Sequence, residues 1–233
     1  PYTTLFRSQM EVTHRPGNAA AKVHLEAGES ITAEGGAMIA MSEHLQMETT
    51  THKRDQGSIL GALKRMVTGE SFFLNHFSAQ SAPGEVILAT TLCGDMMEYQ
   101  VGGPALVVQA GSYVASAPTV DMDMSWQGFG KALFSGESAF WIKLTGSGPA
   151  IINSFGAIYP IEVNGEYIVD TGHIVAFEES LNFEITKAGG SWISSMLGGE
   201  GLVCKFVGQG TVWCQSHNAS SFGQALGPML RHQ

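Results

Sequence analysis

The chain has 233 residues, enough for a substantial core, and a net charge of −9 from 12 Lys and Arg against 21 Asp and Glu. Nucleic-acid binders displace counterions with clustered cations, and no basic cluster here exceeds Lys53-Arg54 or Lys64-Arg65, which argues against a nucleic-acid partner. Charged residues are 14% against about 25% in typical domains, Gly reaches 29, and no apolar run approaches the roughly 20 residues of a membrane span; a soluble, turn-rich β protein is expected.

Residues 1–8 (Pro-Tyr-Thr-Thr-Leu-Phe-Arg-Ser) read like a translated sequencing adaptor and are set aside as a non-native tail. The native chain is expected to begin near Met10, without a signal or transit peptide. Residues 9–233 then form a single β domain with three internal repeats, about 10–95, 96–156 and 157–220, and a short C-terminal tail. In the first repeat, a strand over 21–28 ends at a glycine and a second follows over 30–33. Residues 42–58, rich in His, Thr and charge, are expected to be a surface loop. An apolar segment over 59–66 leads into Gly69-Glu70-Ser71, and a hairpin runs out over 72–79 and back over 86–88.

The second repeat follows the same order. Strands are expected over 105–111 and 112–115, taken as equivalents of 21–28 and 30–33. Alternation over 120–124 has the period of a half-buried strand. An apolar segment over 126–134 precedes Gly136-Glu137-Ser138, and a hairpin over 140–144 turns at Gly146-Ser147-Gly148 into 150–152. The third repeat has strands over 167–172, 173–176 and 181–185, an apolar segment over 192–197, then Gly199-Glu200-Gly201. Its hairpin over 202–207 turns at Gly208-Gln209-Gly210 into 211–213. The Gly-Glu copies lie 67 and 63 residues apart, a period that implies one supersecondary unit packed against its siblings. The expected fold is all-β: three repeated antiparallel β units, of double-stranded β-helix or sandwich type, forming one pseudo-threefold body.

The run Leu63-Lys64-Arg65-Met66-Val67-Thr68-Gly69-Glu70-Ser71-Phe72-Phe73-Leu74-Asn75, the stretches 169–177 and 199–210, and the closing Phe222-x-x-x-Leu226-Gly227-Pro228 resemble the altered-inheritance-of-mitochondria protein twenty-four family. The resemblance runs from about Met10 to the C-terminus. It implies a fold like that of the tryptophan RNA-binding attenuation protein, with antiparallel double-stranded β-helix units repeated within the chain. It implies no particular reaction for bacterial members. Eukaryotic members are mitochondrial and linked to inner-membrane organisation, a role that does not transfer to a chain read as having no transit peptide. A bacterial cytoplasmic location, peripheral to a membrane, is expected instead.

Glu70, Glu137 and Glu200 are the most tempting constellation, because repeats around an axis would bring three carboxylates toward one cation. Unpaired converging carboxylates repel, however, and the favoured reading is structural, each Glu accepting backbone N–H bonds that lock a hairpin to its neighbour. Asp170 and His173 are expected to form a structural pair at a turn. No His-Glu-x-x-His, Gly-x-Ser-x-Gly or phosphate-binding glycine loop occurs, so no catalytic residue, metal ligand or cofactor is assigned. Cys93, Cys204 and Cys214 make no Cys-x-x-Cys pair. Cys204 and Cys214 face each other across the expected last hairpin, and free thiols packed beside Phe206 and Val212 are favoured over a disulfide.

The three pre-hairpin segments form a candidate docking surface. Leu60, Leu63, Lys64 and Met66 come from the first repeat, Phe129, Lys131 and Leu133 from the second, and Trp192, Ile193 and Met196 from the third. Equivalent positions in symmetric units gather at one end of the body, where they either plug the core or dock on a membrane or partner. The plug is favoured. The functional expectation is a non-enzymatic scaffold or interaction protein with a protein partner or membrane surface, and homo-oligomers are allowed. The alternative is a small-ligand or metal-binding protein using the pseudo-threefold axis.

Overall fold

The structure, a computed structural model, describes residues 9–51, 72–124, 141–187 and 202–230. Short stretches that alternate buried and exposed side chains, punctuated by glycine, make the described chain almost wholly β. The first strands are β1 (Gln9–Thr13), β2 (Ala20–Leu25), β3 (Ser30–Glu34), β4 (Met38–Met41), β5 (Gln46–Thr51), β6 (Phe73–Ser78) and β7 (Gly84–Leu88). Then come β8 (Met96–Val101), β9 (Leu106–Gln109), β10 (Tyr113–Ser116), β11 (Val120–Asp123), β12 (Trp141–Gly146) and β13 (Gly148–Asn153). The chain continues with β14 (Ile158–Asp170), β15 (Ile174–Glu178), β16 (Asn182–Lys187), β17 (Leu202–Gln215) and a short helix α1 (Ala219–Leu226). Asn218 caps that helix, its Oδ1 accepting from the Ser220 and Ser221 N–H groups at 2.9 and 3.2 Å.

Three antiparallel sheets result, ordered β1-β2-β7-β4, β5-β6-β3-β10-β13-β8 and β11-β12-β9-β15-β17-β14, with β16 also paired to β17. The ladders follow one order three times. In the first stretch β2 and β4 flank β7 while β3 and β5 flank β6. In the second, β8 and β10 flank β13 while β9 and β11 flank β12. In the third, the two halves of β14 lie along the two halves of β17, with β15 and β16 on its other side. Successive stretches join through one more ladder each, β3 with β10 and β9 with β15.

This pairing corrects three expectations. The strands after the Gly-Glu elements do not turn back as hairpins: β6 and β7 lie in different sheets, β12 and β13 likewise, and β17 runs through residues 202–215 as one strand. Gly208 and its cross-strand partner Gly165 both have positive φ, yet the ladder between the two long strands runs through them without a break. A Gly-x-Gly spacing serves a kink as well as a reversal, so the sequence pattern is the same for both. The first stretch also aligns one strand later than its apolar pattern suggests. The counterpart of β9 and of residues 166–170 is β3, because these are the segments that pair with β12, β17 and β6; β2 instead pairs β7, as β8 pairs β13. The supposed surface loop over 42–58 contains β5, whose six residues pair with β6.

The interior is three apolar clusters, each crossing a junction. The first is centred on Ile31, Phe77 and Val86 and takes Val114, Ala115 and Ile151 from the second stretch. The next surrounds Leu106, Ile142 and Leu144 and takes Val175 and Ala176 from the third. The last holds Phe177, Phe206, Val212 and both Cys204 and Cys214. Full burial of a Leu, Ile, Val or Phe side chain contributes about 1.5–3 kcal/mol, so no stretch can give up its neighbour cheaply.

A close backbone approach ties the two links that flank the second stretch. Gly94 makes a parallel bridge with Gly156, and a Cβ on Gly94 would run into the Ser154 carbonyl. A Cβ on Gly165 meets nothing, although its φ is +110°. Gly165→Ala should therefore cost only the conformational penalty, about 1–2 kcal/mol. Gly94→Ala should cost more than about 3 kcal/mol or prevent folding. Urea unfolding of the two variants checks the order, and equal losses would refute it.

Candidate functional site

Glu70, Glu137 and Glu200 lie outside the described residues, as do Leu60, Leu63, Lys64, Met66, Phe129, Lys131, Leu133, Trp192, Ile193 and Met196. What is described is where those segments leave and rejoin the fold. Each spans the gap between a pair of neighbouring strands, β5 to β6, β11 to β12 and β16 to β17. Their flanks lean inward. Phe72 meets the Tyr113 ring edge-on at 6.1 Å, and Met122 and Met124 pack on the central cluster. Trp141 meets Phe177 at 5.8 Å, and Phe183 and Ile185 pack on the last cluster.

Beside the β3–β10 junction sits a polar group the sequence did not single out. Tyr113 is fully buried, and its hydroxyl donates to the Thr32 carbonyl at 3.1 Å and shares a 2.9 Å bond with Ser116 Oγ. Glu34 ends β3 close enough to act on that phenol, and burial drives its carboxyl from an ordinary value of 4.5 up to about 7. Burial also raises the Tyr113 pKa, the bond to Ser116 lowers it, and the Glu34 charge raises it further. None of the described ion pairs includes Glu34.

A second unanticipated feature is a latch at the chain's start. Arg15 clamps the buried Asp95 with two bonds, Nε to Oδ1 at 2.7 Å and Nη2 to Oδ2 at 2.9 Å. Asp95 Oδ1 also accepts from the Met96 N–H at 2.9 Å, and its backbone bonds to Gly156 and Ser154. Both carboxylate oxygens are therefore occupied, and the group holds strands rather than offering a base. The expected Asp170–His173 pair is replaced by two separate backbone contacts. Asp170 Oδ1 accepts from the Gly172 N–H at 2.8 Å, while His173 Nδ1 donates to the Gln215 carbonyl at 2.8 Å. The tight turn over Thr171–His173 brings that N–H, not the imidazole, to the carboxylate.

Cys204 and Cys214 are free and buried, ten positions apart along β17, with burial pushing both thiols up to about 12; Cys93 is free and exposed. Among the described residues no three His, Cys, Asp or Glu side chains gather as a metal site would require. Large apolar side chains do stand in solvent. Phe222, Leu226, Met229 and Leu230 are exposed along α1 and the turn after it, and Met38, Ile39, Tyr167 and Ile168 are exposed on two strand edges. Phe222 rests against Phe155, ring centroids 5.4 Å apart, and Phe155 also meets His217 at 5.2 Å.

A family model described as Mitochondrial biogenesis AIM24 matches residues 10–217. The chain belongs to that family. Within reach of this AIM24 member is an uncharacterized protein of Streptococcus pyogenes serotype M6, 30% identical over 210 residues, covering 88% of this chain and 84% of the relative. A crystal structure of a Streptococcus pyogenes protein superposes with a TM-score of 0.77 at 27% identity, covering 96% of this chain and all of that one. Neither relative brings an activity that could be carried across, so the AIM24 assignment fixes kinship without a reaction. No helix among the described residues is long and apolar enough to cross a membrane.

Two outcomes follow from the buried groups. Folding favours protonated Glu34, so its contribution is fully present below about pH 4.5 and is lost as pH rises through about 7. Glu34→Gln should match the parent near pH 4 and be more stable at pH 8 by up to about 3 kcal/mol in denaturant titrations. An advantage that did not grow with pH would refute this. With Ellman's reagent at pH 8, the native protein should expose Cys93 alone and all three thiols only in guanidinium; rapid reaction of three native thiols would contradict the burial.

Proposed function

We infer that this AIM24-family chain is a non-enzymatic β scaffold that works by binding a protein partner. The observation that carries the reading is the C-terminal segment. Helix α1 has no buried residue, yet it and the following turn hold Phe222, Leu226, Met229 and Leu230 toward solvent. Exposed apolar side chains grouped on one short element mark surfaces that a partner covers. The polar groups already described support the same reading. Asp95, Asp170 and His173 are engaged in holding turns and strands, and the buried thiols at about 12 are poor nucleophiles.

A protein is favoured over a bilayer as the partner on charge. The chain carries −9 overall, and α1 (Ala-Ser-Ser-Phe-Gly-Gln-Ala-Leu) has no cation to meet an anionic headgroup. The apolar segments around Leu60, Phe129 and Trp192 form a second candidate contact in this proposal.

Replacing Leu226, Met229 and Leu230 by Ser should leave the melting temperature unchanged and abolish capture of the partner that co-purifies with the parent protein from its native host. Triple replacement of Leu60, Phe129 and Trp192 by Ser separates docking from plugging: lost capture with folding intact supports docking, and unfolding supports a plug. Co-sedimentation with anionic vesicles in place of protein capture would refute the choice of partner. Turnover in a metabolite-depletion screen would refute the non-enzymatic reading.

A further inference from the structure

Each stretch has an equivalent strand near its start. β2 lies along β7, β8 along β13, and residues 158–163 of β14 along β17. Glycines set the alignment, for Leu25 faces Gly84, Val101 faces Gly148 and Val163 faces Gly210. Counted from there, Val23, Tyr99 and Ile161 are equivalent, as are Lys22, Glu98 and Pro160, then Ala21, Met97 and Tyr159. The backbone leading into the strands keeps the same match. The Ala19 N–H donates to the Gly94 carbonyl at 3.0 Å, and the Asp95 N–H to the Gly156 carbonyl at 2.9 Å.

Among the described residues only the first of these strands is covered. β1 pairs antiparallel with the outer edge of β2, Met10 opposite Val23, Glu11 opposite Lys22 and Val12 opposite Ala21. Met10 and Val12 pack on the first cluster, where Val23 and Ala21 are 0% exposed and Met96 is 1% exposed. β8 and residues 158–163 end their sheets, with no described strand on the outer edge. The side chains beside the β8 edge are left half-buried: Tyr99 and Met97 stand where Val23 and Ala21 stand, and Ile158 where Met96 does. Tyr99 meets only the edge of the half-buried Trp213 ring, at 5.3 Å. The two uncovered edges differ. Along an antiparallel strand, alternate residues turn their N–H groups to opposite neighbours. Pro160 has no N–H, and proline keeps its place in a ladder where that group would point outward, here away from β17. The edge of residues 158–163 therefore has a gap at its centre that disfavours strand addition. β8 carries Glu98 at the same place, and its edge keeps every N–H.

We propose that the outer edge of β8 takes up an extended peptide of a partner protein, which adds antiparallel as β1 adds to β2. β1 shows what such an edge accepts: two apolar side chains, over Tyr99 and Met97, separated by one residue opposite Glu98. Charge chooses that middle residue. On the covered edge the acidic Glu11 lies opposite Lys22, whereas β8 presents the exposed Glu98 in the place of Lys22. The fitting peptide therefore reads apolar, cationic, apolar. A second copy's β1 does not fit, because it would set Glu11 against Glu98, and like charges directly opposite destabilise a ladder. Backbone bonds to the edge supply affinity, and the pockets for alternate side chains supply selectivity. The edge is separate from the C-terminal segment, so the inference stands apart from the reading above.

The test titrates the full chain into a fluorescent peptide, Gly-Ser-Gln-Met-Lys-Val-Thr-Ser-Gly, and follows anisotropy. Saturable binding is expected, and the same peptide with Glu in place of Lys should bind about fivefold more weakly. Glu98→Lys should reverse that preference. Glu98→Pro copies what Pro160 does on the third strand; it should melt like the parent and lose binding. Should that variant fail to fold, the exchange of charge at Glu98 still decides. Replacing Leu226, Met229 and Leu230 by Ser should leave the affinity unchanged. Absence of saturable binding, equal binding of the two peptides, or a preference unmoved by Glu98→Lys would each overturn the proposal. So would full binding by a folded Glu98→Pro variant, or loss of binding when the C-terminal segment is changed. Tighter binding of the Glu peptide by the parent would point to a second copy's β1 and overturn the choice of occupant.

Discussion

The cores around Ile31 and around Leu106 are each closed by a strand from further along the chain. β10 lays Val114 and Ala115 into the first, and β15 lays Val175 and Ala176 into the second. A bulge makes this possible: one extra residue turns a side chain that plain alternation would aim the other way into the neighbouring core. The rest of the architecture hangs on that contact. It orders the two six-strand sheet paths, it buries β10 on both faces, and it makes each stretch dependent on the next for a complete interior.

Around this frame, polar groups act as fasteners. Arg15 reaches eighty residues ahead to clamp Asp95, which in turn bonds the backbone beside the Gly94–Gly156 bridge. Gln215 bridges the turns near Phe155 and Gly172, accepting from the Phe155 N–H at 2.9 Å and donating to the Gly172 carbonyl at 3.1 Å. Glu34 is the exception. Half-buried near Tyr113 with its pKa near 7, it costs stability at neutral pH, whereas no described buried side-chain N or O atom lacks a hydrogen-bond partner.

Apolar surface left in solvent gives the molecule its two outward-looking features. One is the C-terminal segment from Phe222 to Leu230, which suits a partner of different sequence. The other is the pair of described strand edges at Ile39 and Ile168, which stand exposed. Both arise where the internal pattern runs out: the C-terminal segment lies beyond the last ladder, and the two edges are the unjoined ends of a scheme that is satisfied everywhere between them.

Much of the strand content was legible because half-buried strands alternate, as in residues 120–123 and 182–185, and because glycine interrupts them. Family membership was legible too, since runs such as Leu63–Asn75 and the closing Phe222-x-x-x-Leu226 are local. The paths of β12–β13 and of β17 were not, because Gly-x-Gly at 146–148 and 208–210 allows a continuing chain or a reversal, and only the choice of ladder partners distinguishes them. Nor could spacing show that β3, rather than β2, matches β9, or that Arg15 would find Asp95. By itself the sequence determined an all-β chain of this family, through period and composition. The tertiary structure decided which strands pair, which valine crosses into a neighbour's core, and which isoleucine stays in solvent, because those depend on contacts between residues far apart in the chain.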